Sequence, residues 1–475
     1  MDMTNQPLRT AIHRSVPLVL LIFLLSFTQV GIVKSIGIYL KDISNSLGTT
    51  SKDIGVALGL FNALCYFPAP LFIALHGVHW TRRPLLIGGS IFISLGVMLT
   101  ALATNNALIA VYLSISGLGY CIVGISATLT LSQLISEQNF YLLIGFGTSG
   151  FGLGMFLLPL LAELLDEFYG WRGGILILSC LMAHIVPCAV AVRLPLTGSR
   201  PVNLSAIYQE LEHSGVSDES LVNNCSSEEE DNTPLCPRGA HRNLAAAGES
   251  STYSSLVNGM EMESRENETS ARQTFARLHD SFYRSDFYRD PVFIFLFLAS
   301  ATFGIVSCGW HSFLVPSAIQ RGYSIRATIL VTFYASVGNF IGRLLGGALS
   351  GRLADPITLC IGAALMNSVS ILCDAFFRNY YVIILTSCIS DLSLGGLSVF
   401  ILLSIKKRAS PGSFDVALAV NGVFFGFGTF LGGYLSGVVG GVFSYDAIFK
   451  FLGGVPILIF VLMLPLAVFE KPAEL

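Results

Sequence analysis

Charge is scarce in this sequence. Asp, Glu, Lys and Arg make up 12% of its 475 residues, where soluble domains carry about 25%. Hydrophobic residues make up 53%. That balance excludes an ordinary soluble fold and implies a surface solvated largely by lipid. The formal net charge of −3 is too small to imply a nucleic-acid partner. Metal-site and redox spacings are also missing. Cys65, Cys121, Cys180, Cys188, Cys308, Cys360, Cys373 and Cys388 lie in or beside apolar runs, and Cys225 and Cys236 lie in a polar stretch. No two of them have zinc or CxxC spacing, so they read as small packing residues. There is no phosphate loop and no Ser/His/Asp grouping in context. The expectation is a chain that is not an enzyme and needs no cofactor or metal.

Apolar length is what the sequence has in abundance. Runs of about 20 apolar residues, enough to cross a bilayer, recur at roughly 16–40, 54–76, 84–104, 107–135, 141–164 and 171–193. Six more follow at roughly 291–315, 327–353, 356–376, 379–404, 415–442 and 446–469, again of spanning length. The first run carries Lys34 and has no small-residue cleavage site, so it reads as a retained helix and not as a signal peptide. The predicted fold is an all-α membrane protein of twelve transmembrane helices in two pseudo-symmetric six-helix bundles. Residues 1–15 form an N-terminal segment, 16–193 the first bundle and 291–469 the second, and 470–475 a short C-terminal segment.

Residues 194–290 separate the bundles. They hold the acidic run Glu228-Glu229-Glu230-Asp231, are rich in polar residues, and contain no run long enough to span. Low hydrophobicity with excess acid predicts a largely disordered loop, with a short surface helix over Thr274–Tyr288. The loop is too poor in apolar residues to form a nucleotide-binding domain.

The halves echo each other. His79-Trp80-Thr81-Arg82-Arg83 follows the second span, and Gly351-Arg352-Leu353-Ala354-Asp355 follows the eighth. The fifth span carries Gly145, Gly147, Gly150, Gly152 and Gly154; the eleventh carries Gly422, Gly426, Gly428, Gly432 and Gly433. Glycine on a membrane helix admits a close neighbour, and matching placement predicts parallel repeats. Arg9, Arg14, Arg82, Arg83, Lys406, Lys407 and Arg408 all flank one side of the membrane, against Lys41, Lys52, Arg172, Arg321, Arg326 and Arg378 on the other. The positive-inside bias places both ends and the acidic loop in the cytoplasm. The triplets at Asn203, Asn224 and Asn267 match a glycosylation acceptor but fall on that side, so none is expected to be used.

The few charges inside the spans are the candidate functional residues. A charge in hydrocarbon costs about 2.5–3.5 kcal/mol on an insertion scale. Lys34 and Arg343 each bear that cost, on helices far apart in sequence, and together point to one anion-binding cavity. Lys34 is read near the outer end of its helix, beside Ser35, where it either selects anions at the mouth or snorkels to the headgroups. Arg343 is read as deeper. Its guanidinium fork suits a carboxylate, and Asn339 lies one turn away on the same face. Asp391, mid-span, either balances Arg343, holds a proton, or serves a structural role beside Ser390 and Ser393. His311, next to Trp310, titrates near neutral pH or makes an ordinary interfacial hydrogen bond. Tyr39, Tyr334, Asn421 and Phe425 are candidate cavity lining or ordinary helix contacts.

Three stretches resemble monocarboxylate transporters of the major facilitator superfamily. They are Lys34-Ser35-Ile36-Gly37-Ile38-Tyr39-Leu40-Lys41-Asp42-Ile43, Gly147–Gly154 leading to Gly170-Trp171-Arg172, and Gly338-Asn339-Phe340-Ile341-Gly342-Arg343 continuing to Gly347 and Asp355. The resemblance implies an alternating-access carrier of small monocarboxylates in the plasma membrane. It implies that Lys34, followed by Ser35, contacts the substrate carboxylate, with Arg343 on the matching eighth helix; some relatives require a single-pass escort glycoprotein, and whether this chain needs one stays open. Three places depart from the family. Arg14-Ser15-Val16-Pro17 stands where an Asp-Gly pair is usual, and Phe140-Tyr141-Leu142-Leu143-Ile144 lacks the usual base. Asn339 stands where proton-coupled members have aspartate, so proton symport is expected to be weak or absent. Other expectations left open are a carrier of a different organic anion or neutral solute, and a transport-dead sensor or scaffold. The sidedness gives a direct test: an epitope tag near Glu229 should be silent on intact cells and visible after permeabilisation, and glycosylation at Asn224 would sink the topology.

Overall fold

A backbone in hydrocarbon must satisfy its own hydrogen bonds, so apolar runs of this length become helices. The computed structural model describes residues 6–49, 51–76, 82–192, 290–350, 354–410, 413–443 and 445–469. The acidic loop, its glycosylation triplets, the stretch Thr274–Tyr288 expected to form a surface helix, and most of the two basic turns lie outside the described residues. The first half comprises α1 (Gln6–Leu47), α2 (Ser51–Leu64), α3 (Ala69–His76), α4 (Arg82–Ala101), α5 (Asn106–Leu134), α6 (Glu137–Ala183) and α7 (Ile185–Ala191). The second comprises α8 (Val292–Gln320), α9 (Ile325–Leu349), α10 (Pro356–Phe376), α11 (Tyr380–Arg408), α12 (Phe414–Val442) and α13 (Tyr445–Phe469). All of these helices fall in a single compact unit, and the described residues contain no β-sheet.

Eleven of the described segments are long and apolar enough to span. One of them, Glu137–Ala191, makes two passes. Gly170 breaks it with φ 64° and ψ 175°, a conformation that glycine adopts freely. Beyond the break the chain turns back. The Arg172 Nη1 donates to the Ala101 carbonyl at the end of α4, at 2.7 Å, while Met182 lies beside Tyr120 in the middle of α5. The bundle therefore has twelve passes, as the spacing of apolar runs predicts. The second pass is interrupted between α2 and α3, where Pro68 lacks the N–H a continuous helix needs. Leu20, Val56, Leu160, Ile294, Val369 and Leu458 are exposed on the surface, as befits residues facing lipid.

Two of the boundaries that differ from the sequence expectation bear on the candidate site. The first span does not stop at Leu40 but runs to Leu47, where Gly48 at φ 63° closes it. Lys41 and Asp42 end the apolar run without ending the helix. Lys34 is therefore well inside its helix and not at its outer end. Conversely, α9 stops at Leu349, which puts Arg343 less than two turns from the helix end.

The two halves are repeats at the level of backbone contact. Gly150 and Gly154 pack on the carbonyls of Phe23 and Phe27, and Gly428 and Gly432 pack on those of Ala301 and Ile305. Gly117 packs on the Phe61 carbonyl and Gly395 on that of Asn339. A shift of 278 residues (301 minus 23, 428 minus 150, 395 minus 117) carries each member of the first set onto its partner in the second. The glycines are required at these places because a Cβ would overlap a neighbouring carbonyl. Between the halves, Gly145 of α6 meets Arg343 and Gly347 of α9, Gly152 meets Phe340, and Gly422 and Gly426 of α12 meet Ala69 and Tyr66.

This packing yields a stability prediction. Gly154→Ala or Gly428→Ala should lower the stability of the detergent-solubilised protein by about 1–3 kcal/mol, the usual cost of overpacking. Gly362→Ala, at a position with no neighbour within 4 Å, should be neutral or slightly stabilising, since alanine favours helix over glycine by about 1 kcal/mol. Thermal unfolding followed by tryptophan emission would measure both, and equal effects at Gly154 and Gly362 would discount the close-packing argument.

Candidate functional site

The chemistry of the interior gathers around Asp391, which is fully buried near the middle of α11. Glycines bring its neighbours within reach. Gly338 and Gly342 of α9 lie against the Cys388 and Leu392 carbonyls of α11, and Gly395 lies against that of Asn339. With these two backbones so close, two short side chains can meet. The Asn339 Nδ2 donates to Asp391 Oδ1 at 3.1 Å. From α8, the Trp310 Nε1 donates to Asp391 Oδ2 at 2.7 Å, and the His311 Nε2 lies 2.9 Å from Asp391 Oδ1. The Trp310 indole is fully buried and packs edge-on against Phe449 of α13 at 5.3 Å between centroids.

Arg343 joins this cluster indirectly. Its Nε donates to Asn339 Oδ1 at 2.9 Å, so the Asn339 amide relays between guanidinium and carboxylate. Arg343 and Asp391 form no direct ion pair among the described residues. The guanidinium lies 4.4 Å above the Phe151 ring of α6, a cation–π geometry, and the other side of the contact chain is His311, 5.7 Å from Phe151 between ring centroids. Among the described residues the two terminal nitrogens of Arg343 have no hydrogen-bond partner. The guanidinium fork is thus held at its stem and open at its tip.

Lys34 reaches across from the first half. Its Nζ donates to the backbone carbonyl of His311. Asp391 and Cys308 are within electrostatic reach of it, and Tyr66 and Asp391 are within reach of Arg343. Two cations and one carboxylate therefore share a buried space beside the His311 ring. An interior this positive attracts an anion, because the desolvated cations gain more from an opposite charge there than they would in water.

The structure brings together Lys34, His311, Asn339, Arg343 and Asp391. Ser390 and Ser393 accept from the Asn367 amide, so among the described residues they serve Asn367 and not Asp391. Phe425 stands on the wall, edge-on to Tyr66 at 4.7 Å and stacked on Phe303 at 5.5 Å. Asn421 is half-buried one turn earlier, with an Oδ1 that has no hydrogen-bond partner among the described residues. Ser35 and Tyr39 are fully buried and, among the described residues, their hydroxyls have no hydrogen-bond partner. The Tyr39 hydroxyl abuts Gly174 in the second limb of α6, so Tyr39 packs inside the first bundle and not in the cluster. Tyr334 is 42% exposed and touches Phe333; it too stands apart.

Several wall residues escape a reading of the sequence. Tyr66 sits in the break between α2 and α3 and accepts a hydrogen bond from Gln29 Nε2 of α1 at 3.0 Å. The signal available for it was Pro68, which marks the break. Gln29 was visible as an amide inside an apolar run. Phe151 and Trp310 carried no signal, since aromatics are common in membrane helices.

With this geometry in place, comparison with known proteins is informative. The chain is 29% identical to monocarboxylate transporter 11 of Homo sapiens over 183 residues, 38% of each chain. It is 32% identical to monocarboxylate transporter 11 of Mus musculus over 167 residues, 34% of this chain and 36% of that one. These two matches thus span little more than a third of either relative. Monocarboxylate transporter 9 of Mus musculus matches more of the chain, 24% identical over 383 residues, 74% of this chain and 71% of that one. Among solved structures, the human organic anion transporter MFSD10 (TETRAN) superposes with a TM-score of 0.62 at 13% identity, covering 94% of this chain and 99% of that chain; at that identity the likeness is one of fold. The Major Facilitator Superfamily pattern matches residues 19–405. Twelve passes in two repeats, a shared overall fold and this match establish that the chain is a multi-pass membrane protein belonging to the Major Facilitator Superfamily.

Proposed function

We propose that this chain carries small organic anions bearing a single carboxylate across the plasma membrane by alternating access, with the two bundles rocking about the cluster between them. One observation carries the reading. Arg343 is anchored through its Nε while, among the described residues, its terminal nitrogens lack protein partners, and the described interior around it holds more positive than negative charge. A planar fork so held fits a carboxylate with two parallel hydrogen bonds. Lys34 supplies the second positive charge. It acts inside the bundle and not at an outer mouth, because the helix that carries it continues to Leu47. Asn339 orients the fork. Phe151, Tyr66 and Phe425 offer apolar and aromatic surface for the rest of a small solute. The names of the monocarboxylate relatives and of the organic anion transporter that shares the fold agree with this substrate class.

Asn339 has no titratable proton, so the anion does not move with a proton held at that place. A mere sensor would need no open fork in its interior, and nothing in the cluster favours that alternative.

The test is counterflow of labelled lactate, pyruvate and acetate into liposomes holding the purified protein. Arg343→Ala should abolish exchange while delivery to the membrane persists. Arg343→Lys keeps the charge but loses the fork and should lower the rate at least tenfold, about 1.4 kcal/mol in barrier. Normal exchange by the Ala variant would remove the main support for the anion reading.

A further inference from the structure

His311 is flanked by acceptors on both ring nitrogens. Its Nδ1 lies 2.7 Å from the Ser307 carbonyl one turn back in α8. A carbonyl only accepts, so Nδ1 must bear hydrogen. The Ser307 hydroxyl is 3.4 Å from the same nitrogen, beyond the usual hydrogen-bond range, and the carbonyl governs. On the other side, Nε2 faces Asp391 Oδ1 at 2.9 Å. That oxygen already receives the Asn339 amide, and Oδ2 receives the Trp310 indole. Both of these groups are donors only at those nitrogens.

A neutral imidazole has one N–H. With that hydrogen directed at Ser307, Nε2 presents a lone pair to a carboxylate lone pair at hydrogen-bond distance, and the two repel. One further proton between Nε2 and Oδ1 removes the conflict. It makes an imidazolium beside a carboxylate, or an imidazole beside a carboxylic acid; the proton count is the same. The titratable and charged groups facing the pair from neighbouring elements are Lys34 of α1, Cys308 of α8, Arg343 of α9 and Cys388 of α11, with Tyr66 behind Arg343. Among the described residues, no second carboxylate stands with them to take the proton.

We propose that His311 and Asp391 together hold one exchangeable proton, and that this pair, on α8 and α11, is the site at which anion movement is coupled to proton movement. Charge arithmetic supports the link. Lys34, Arg343 and Asp391 sum to +1 with His311 neutral. One added proton makes the cluster +2, and one carboxylate alone makes it zero. Proton and carboxylate together restore +1, so in a water-poor interior each favours the other's binding, and linkage makes the effect reciprocal. The pair is also placed to sense the bundle interface. Lys34 holds the His311 carbonyl from the first half, and Phe151 of the first half lies between the His311 ring and the Arg343 guanidinium. Loss of the proton, released to water on one side, would loosen the His311 ring from Asp391 and with it this bridge between the halves.

Trp310 makes the site observable without transport, because its indole donates to the same carboxylate. The chain has three tryptophans. Trp80→Phe with Trp171→Phe leaves Trp310 as the sole emitter in the purified full-length protein. Its emission should pass through one pH-dependent transition as the His311–Asp391 pair gains or loses its proton, because the indole donates to the same carboxylate. Asp391→Asn and His311→Gln should each remove that transition, and lactate should move its midpoint to higher pH. Emission flat with pH, or a transition that survives in both variants, overturns the proton site. The coupling half rests on the carboxylate-transport reading and is measured separately: in liposomes, an outside one pH unit more acidic should drive lactate up to about tenfold above equilibrium. Robust counterflow with no gradient-driven accumulation overturns the coupling. A transition in Trp310 emission without counterflow of any monocarboxylate supports the proton site and overturns the transport reading instead.

Discussion

The interior of this protein is organised around one buried carboxylate. Asp391 takes nitrogen contacts from three residues on two helices, Trp310, His311 and Asn339, and through Asn339 it fixes the stem of Arg343. A carboxylate in this setting is tolerable only if its lone pairs are satisfied. The donors must therefore arrive with good geometry, which in turn demands that α8, α9 and α11 approach closely. The glycines at 338, 342 and 395 allow that approach. The glycine-lined contacts of the second half are thus what make the buried charge affordable.

The same shift that relates the two halves shows how unequal they have become. Subtracting 278 from Trp310, His311, Asn339, Arg343 and Asp391 gives Ile32, Val33, Phe61, Cys65 and Leu113. The first half keeps the backbone contacts and fills every equivalent place with an apolar residue or a thiol. The polar cluster is therefore a feature of one repeat laid over a frame common to both. The first half contributes differently, through Lys34, Gln29, Tyr66 and Phe151, which reach toward the cluster from the facing wall. The two halves thus differ in kind, one carrying the charge network and the other supplying a cation and aromatic surface.

A second ionic network braces α8, α10 and α13 away from this cluster. Arg321 at the end of α8 pairs with Asp374 and Asp446, each at 3.2 Å, and Arg378 adds a bond to Asp446 at 3.0 Å. On the far side of the same bundle, Lys407 pairs with Asp355, and Arg408 pairs with Asp290 at 2.8 Å. The second bundle is tied by ion pairs at both ends while its centre holds the charges with open valences.

Much of the architecture was legible in the residue order. Runs of apolar residues of spanning length set the number of passes, because a bilayer admits little besides helices of that length. The paired glycine runs of the fifth and eleventh spans announced the repeat, because close backbone approach needs glycine wherever it occurs. Lys34, Arg343 and Asp391 stood out because charge in an apolar run is costly and so seldom incidental. What the order of residues did not contain was adjacency between helices. That Tyr39 turns inward against Gly174 while His311 turns toward Asp391 depends on helix rotation, which packing decides. That Lys34 grips a backbone carbonyl, and that Asn339 stands between Arg343 and Asp391 in place of a direct ion pair, follow from helix separations of a few ångströms. Composition and periodicity determine which residues must be buried; only the assembled bundle determines which of them meet, because hydrogen bonds act over distances far shorter than the spacing that a sequence pattern can resolve.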